Sequence, residues 1–181
     1  MKSYTVEGVV IKRSNMGEAD RIVTMFTKTE GKVTVVAKGI RKLKSKRAGS
    51  LELFNLVKAQ IIPSKGQIDT LAEVQSLNTF RAFRKHLGRV TLAYQICEAI
   101  DKLTPDRQPH PQVFNILVTA LSQISQLGAN WESQIKLWLV EIVKDLGFYP
   151  QDQDFNGNIV DFVEEISSRS YNSPRLLIRL K

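Results

Sequence analysis

One cysteine, Cys97, stands in 181 residues. No internal disulfide can form, and no cysteine cluster exists to hold zinc. Cys97 sits among apolar neighbours in "AYQICEAI" and reads as a small buried core residue rather than a nucleophile. Histidine is almost as scarce. His86 and His110 are the whole supply, too few for a conventional His/Cys metal site, and neither lies in a recognisable catalytic motif. Long apolar runs are missing as well: nothing approaches the ~18 uninterrupted residues of a membrane span. The opening "MKSYTVEGVVIKRS" reaches charge too early for a secretory apolar core. The expectation is a cytosolic protein with no membrane contact, no metal and no cofactor. A phosphate-cradling G-x-x-x-x-G-K-[ST] loop is also absent, so ATP use is not supported. Glu18 and Asp20 in "GEADR" are too few carboxylates for a metal-dependent nuclease. Asp20 reads instead as an acceptor for turn backbone donors or a partner for Arg21. The chain is therefore expected not to be an enzyme.

What the chain has in excess is positive charge, a net of +8, and it is lopsided. Residues 1–80 carry 14 Lys+Arg against 7 Asp+Glu, whereas residues 81–181 carry 12 against 11. The densest run is "KGIRKLKSKR", residues 38–47, with six cations and no acid. Like charges this close repel, so the run is either a solvated loop or a surface for a polyanion. Lys12, Arg13 and Arg21 flank it on the first two predicted strands. An excess of this kind points to nucleic acid before membrane, because no amphipathic basic helix accompanies it. Aromatic residues are thin in this half: Tyr4, Phe26, Phe54 and Phe80. Phosphate contact is thus better supported than base stacking, and little sequence specificity is expected.

The hydrophobic period changes partway along the chain. "YTVEGVVIKR", "RIVTMFTKT", "KVTVVAKGI", "LFNLVKAQII" and "DTLAEVQSL" read as five short strands. A tight turn at "TEGK" leaves Gly31 free to take positive φ, and "PSKGQ" makes a second turn. Alternation places Val33, Val35 and Ala37 on one face and Thr34, Val36 and Lys38 on the other. Five short strands suit a small closed antiparallel barrel, of which the five-stranded OB-fold is the common form. From Phe80 the period becomes helical, with Phe83, Leu87, Val90, Tyr94, Cys97 and Ile100 in one stripe. "TPDRQPHP" breaks it with three prolines, and Pro111 suits the first turn of a second helix carrying Phe114, Leu117, Val118, Leu121 and Ile124. Gly128 ends that helix and Asn130 caps a third, "WESQIKLWLVEIVKDL", which Gly147 ends. Trp131 and Trp138 share a face of it, as packing residues. "IVDFVEEISS" suits a short fourth helix, and "YNSPRLLIRLK" is open between strand, helix and frayed end. The fold class is α+β: an OB-fold-like β-barrel over residues 1–79 and a helical bundle over 80–181.

The ordered set "G-V-V-I-K", "G-E-A-D-R", "T-x-x-x-G-K", "A-K-G-I-R-K-x-K-S" and "G-x-L-x-x-F", continued by "FRAFRKHLGRVTLAYQICEAIDKL" and "P-Q-V-F-N-I-L", resembles the RecO family of bacterial recombination mediators. The resemblance covers about residues 1–148. It implies a non-enzymatic protein that binds single- and double-stranded DNA and anneals complementary strands. It also implies engagement of the acidic C-terminal tail of single-stranded DNA-binding protein and, with the partner RecR, help in loading the RecA recombinase. The matching basic positions are Arg13, Arg21, Lys38, Arg41, Lys42, Lys44, Lys46 and Arg47. The tail-binding groove of the family lies on the helical domain, where Arg84, Lys85 and Arg89 on the first helix are the candidate cations; the plain alternative is an exposed helix face. Many members carry a four-cysteine zinc module after an "L-G-F/Y-x-P" corner. Here "LGFYPQDQDFNGN" has none, so zinc is not expected, and the distal part of the family's helical domain is expected to be shortened, whether the chain is a naturally reduced member or a truncated one. Two other readings compete: a helical adaptor that docks acidic peptides with the barrel as scaffold, and an RNA-binding OB protein.

Overall fold

A computed structural model of the chain describes residues 2–42, 47–65, 68–128 and 131–167. Five strands form a closed barrel: β1 (Tyr4–Met16), β2 (Asp20–Thr27), β3 (Gly31–Ala37), β4 (Leu56–Ile62) and β5 (Asp69–Asn78). They follow each other around it as β1-β2-β3-β5-β4, with β4 returning to β1. This is the OB-fold order. The neighbours are antiparallel except for the closing pair, where Val35 and Val36 meet Asp69 and Thr70 in parallel. Strict antiparallel closure is thus corrected in one place. The long connection from β3 to β4 lets the chain cross, and a parallel pair needs such a crossover.

Alternation drives the barrel core. Val33, Val35 and Ala37 point inward with Val10, Val23, Met25, Val57, Ala59 and Ile61, as the period of two requires. β4 begins at Leu56, later than the run "LFNLVKAQII" suggests. Phe54 holds φ 71°, and the Asn55 amide donates to Gly49 and Ser50 carbonyls, so both residues belong to a turn.

The chain divides into two compact units. One is Met1–Thr79 together with Asp106–Pro109; the other is Phe80–Pro105 with His110–Lys181. The proline-rich stretch between helices is therefore more than a helix break, because its middle packs on the barrel. Gly31, at φ 65°, lies so close that a Cβ there would stand 2.0 Å from the Gln108 carbonyl oxygen. The Arg107 N–H donates to the Lys32 carbonyl at 3.0 Å, and Lys32 pairs with Asp106 at 3.6 Å. The Arg107 guanidinium donates to the Tyr4 hydroxyl at 2.6 Å and pairs closely with Asp69. Asp69 also accepts from Tyr4 at 3.0 Å and from the Ser64 N–H at 2.9 Å. Burial alone would raise the Asp69 pKa; these donors outweigh it and hold the carboxyl below its usual value. Burial pushes the Tyr4 hydroxyl up.

The second unit holds α1 (Leu87–Leu103), α2 (Pro111–Gln123), α3 (Trp131–Asp145) and α4 (Ile159–Ser167). The first helical run is shorter than its periodicity suggests. Residues Arg81–Lys85 form a 3₁₀ turn, and His86 is extended at φ −117°. The buried face of α1 is set by Leu92, Ile96, Ala99, Ile100 and Leu103, while Leu87 is 55% exposed. Phe83 is buried, but from the 3₁₀ turn. Cys97 is buried too, and desolvation, reinforced by Asp101, pushes its thiol far above the ordinary range. Pro111 opens α2. The 3₁₀ turn Ile124–Gln126 follows α2, so regular α-helix stops before Gly128. Gly147 closes α3 with paired bonds, Gly147 N–H to Lys144 and Phe148 N–H to Val143, the Schellman arrangement. Trp138 is buried in this unit. The expected Asn130 cap, the end of the "PSKGQ" turn and the tail from Tyr171 lie outside the described residues.

Candidate nucleic-acid interface

The geometry of the basic region follows from a β-bulge. β1 and β2 pair in register up to Val10 opposite Met25, and the next partners are Lys12 and Thr24. Ile11 is the extra residue, and an extra residue reverses which side chains face inward beyond it. Lys12 is thereby placed opposite Thr24 on the outer face, and Arg13 opposite Val23 on the inward face. Ser14 and Ile22 continue the outer face, which crosses to β3 through Thr24–Thr34 and Ile22–Val36 pairs. The Thr24 and Thr34 hydroxyls lie 3.1 Å apart. Lys38 is exposed in the turn one position past β3.

The loop after β3 is tied to the turn between β1 and β2. Asp20 accepts the Gly39 N–H at 2.7 Å, the turn role expected for that carboxylate. The Arg41 N–H donates to Ala19 at 2.9 Å, and its guanidinium donates to Gly17 at 2.9 Å. Gly39 adopts φ 65°, and the Lys42 N–H closes a turn on its carbonyl at 3.2 Å. Arg47 donates to the Ala72 carbonyl at 2.9 Å and to the Lys38 carbonyl at 3.0 Å. These bonds bring Lys38, Arg41, Lys42 and Arg47 beside the β1–β2 hairpin that carries Lys12, Arg13 and Arg21. Lys44 and Lys46 lie outside the described residues.

The cations are not equivalent. Arg13 and Arg21 both face one carboxylate oxygen, Glu52 Oε1, at 2.5 and 3.8 Å, and Arg21 also donates to Asn15 at 3.3 Å. Arg41 and Arg47 are fastened to carbonyls. Lys12, Lys38 and Lys42 are exposed. Arginine's planar fork suits such fixed contacts, whereas lysine is a hydrated point charge on a flexible stem. A count of charge along the sequence does not separate these two classes.

On the helical unit the three candidate cations are not brought together on one helix. Arg84 and Lys85 lie in the 3₁₀ turn before α1. The Arg84 guanidinium stands 5.8 Å from the Phe83 ring centroid, and Lys85 is exposed. Arg89 donates to the Ser125 carbonyl and, at 3.0 Å, to Leu127, so it binds the carbonyls that follow α2. Such carbonyls lack helical donors, and a cation there is favourable. Among the described residues no group of three His, Cys, Asp or Glu side chains converges as metal ligands do. No described helix is long and apolar enough to cross a membrane. Sequence reasoning missed Glu52, the acceptor between two arginines. Its only sequence signal is that it is the one acid between Glu30 and Asp69.

Residues 1–80 match the family model "Recombination protein O N terminal", and residues 84–155 match "Recombination protein O C terminal". A DNA repair protein RecO of Symbiobacterium thermophilum is 34% identical over 150 residues, 83% of this chain and 59% of that protein. The DNA repair protein RecO of Cutibacterium acnes is 38% identical over 128 residues, 70% of this chain and 52% of its own length. That of Roseiflexus is 32% identical over 148 residues, 82% and 51%. The chain thus spans just over half the length of these relatives. With both family models matched in order along a barrel and a helical unit, the chain belongs to the recombination protein O family, RecO.

Proposed function

We propose that the chain is a DNA-binding recombination mediator acting in recombinational DNA repair. Its barrel holds single- and double-stranded DNA through phosphates and anneals complementary strands. Its helical unit engages the acidic C-terminal tail of single-stranded DNA-binding protein. With RecR it helps exchange that protein for the RecA recombinase. Family membership supports the general role. The observation that carries the DNA-binding reading is the gathering of Lys12, Lys38, Arg41 and Lys42 on and beside one face of the barrel, by the bulge at Ile11 and the loop bonds to the β1–β2 turn.

Lys12, Lys38 and Lys42 supply the direct phosphate contacts in this reading, and Lys44 and Lys46 extend the same run. Arg41 and Arg47 first shape the loop. Three lysine contacts make single-strand binding salt-dependent with a log–log slope of about −2. The contacts position the strand without reading it. Two strands repel each other, and a surface that neutralises both lowers the barrier to their encounter. No bond is made or broken, so the role is not enzymatic and needs neither metal nor cofactor. On the helical unit, Arg84 and Lys85 in the turn before α1 supply the positive charge for an acidic tail in this reading, whereas Arg89 binds the carbonyls after α2.

The test is annealing of complementary strands coated with single-stranded DNA-binding protein, with and without the chain. Acceleration that fades with added salt is expected. An unchanged rate at low salt contradicts the proposal.

A further inference from the structure

We infer that Glu52 is an internal stand-in for a DNA phosphate, occupying a two-arginine anion site until a strand displaces it. The inference rests on the DNA-binding reading above and names a site within it. Arg13 and Arg21 approach from different strands and meet on the single oxygen Oε1 of Glu52, at 2.5 and 3.8 Å. Two guanidinium groups around one oxygen form a fork of the kind that suits a phosphate. The present occupant fits it incompletely. Arg13 Nη1 is buried and makes no hydrogen bond among the described residues, so Glu52 neutralises that nitrogen without satisfying it. The occupant is also accessible. The Glu52 side chain is 44% exposed, and those of Arg13 and Arg21 are 27% and 23% exposed. Glu52 is the exposed member of the group, so a strand can reach and replace it, and the largely buried arginines then keep an anion beside them.

The surroundings agree. Arg13 and Arg21 stand on the same hairpin as the exposed Lys12, and Ala37, the residue before Lys38, pairs with Arg21 across β2 and β3. Lys12 faces outward and Arg13 inward on that hairpin, so a phosphodiester chain reaches both the lysines and the Glu52 site only by crossing the rim of the barrel where the hairpin and the loop after β3 meet. Replacing a carboxylate by a phosphate at this fork exchanges one anion for another. In the wild-type chain the two arginines consequently add little to counterion release, although they contact the strand.

The measurement is the salt dependence of binding to a fluorescently labelled oligothymidylate, for the full chain and its variants, with melting temperature as the folding check. Glu52→Gln is expected to bind at least about threefold more tightly at low salt, the factor one like charge a few ångströms from a phosphate costs in water. Its log–log slope is expected to steepen by about 1.4, the share of two added single-strand contacts. Adding Arg13→Gln and Arg21→Gln to Glu52→Gln should return the slope to the wild-type value. A Glu52→Gln slope equal to wild type overturns the inference. If Lys12→Gln, Lys38→Gln and Lys42→Gln together still flatten the slope, the DNA-binding reading survives that result. If the wild-type chain shows no salt-dependent binding at all, the reading fails and the inference falls with it.

Discussion

The barrel contains two carboxylates held by arginine, and they are built differently. Asp69 is 9% exposed, and it accepts from the Tyr4 hydroxyl, the Ser64 N–H and the Arg107 guanidinium. Arg107 in turn reaches it from a segment that leaves the helices and lies against Gly31. Glu52 is 44% exposed and offers one oxygen to two arginines. The same pair of functional groups makes a clasp in one place and an exchangeable contact in the other. Burial and donor count separate them: a buried charge must be fully hydrogen-bonded, and a wet one need not be.

The sharpest way to break the comparison is to remove the clasp from its far side. Gly31→Ala drives a Cβ into the Gln108 carbonyl at a φ that L-residues rarely adopt. It should destabilise the barrel by about 3 kcal/mol in urea unfolding. An effect below about 0.5 kcal/mol would mean that the segment 106–109 is only loosely attached.

Next comes Asp69→Asn, which keeps the shape and removes the charge. Loss of charge-assisted bonds should cost about 2 kcal/mol near neutral pH. The pH dependence has a definite sign. The folded pKa of Asp69 lies below its ordinary value, so its contribution is complete above the unfolded value of about 3.9 and is lost as pH falls through the folded one. Acid unfolding followed by circular dichroism should show the wild type losing its advantage over Asp69→Asn in that acidic window. A constant gap between the two would contradict the assignment.

The smallest effect on stability belongs to Glu52→Gln, less than about 1 kcal/mol and shrinking further in salt. A larger loss would make Glu52 a second clasp and remove the contrast.

Much of the architecture was legible in the sequence because it rests on period. Val33, Val35 and Ala37 turn inward, Gly31 takes positive φ, and Asp20 serves the turn backbone, each as local pattern requires. The change from strand to helical period near Phe80 was legible for the same reason. Other features depend on partners far along the chain. The bulge at Ile11, which sends Lys12 and Arg13 to opposite faces, depends on how β1 pairs with β2. The attachment of residues 106–109 depends on a glycine 77 positions earlier than Gln108. In the candidate site, the loop's positive charge was plain. What composition could not reveal was that Arg13, Arg21, Arg41, Arg47 and Arg89 each already hold an oxygen. Lysine and arginine count alike in a charge total, although arginine's planar fork suits fixed contacts better.

The most direct test of the claim that exposed lysines on the barrel hold the DNA backbone is single-strand affinity across a salt series. Wild type is compared with a variant carrying Lys12→Gln, Lys38→Gln and Lys42→Gln. The expected result is weaker binding with a log–log slope shallower by about 2, at an unchanged melting temperature. The same affinity and slope in both proteins would contradict it.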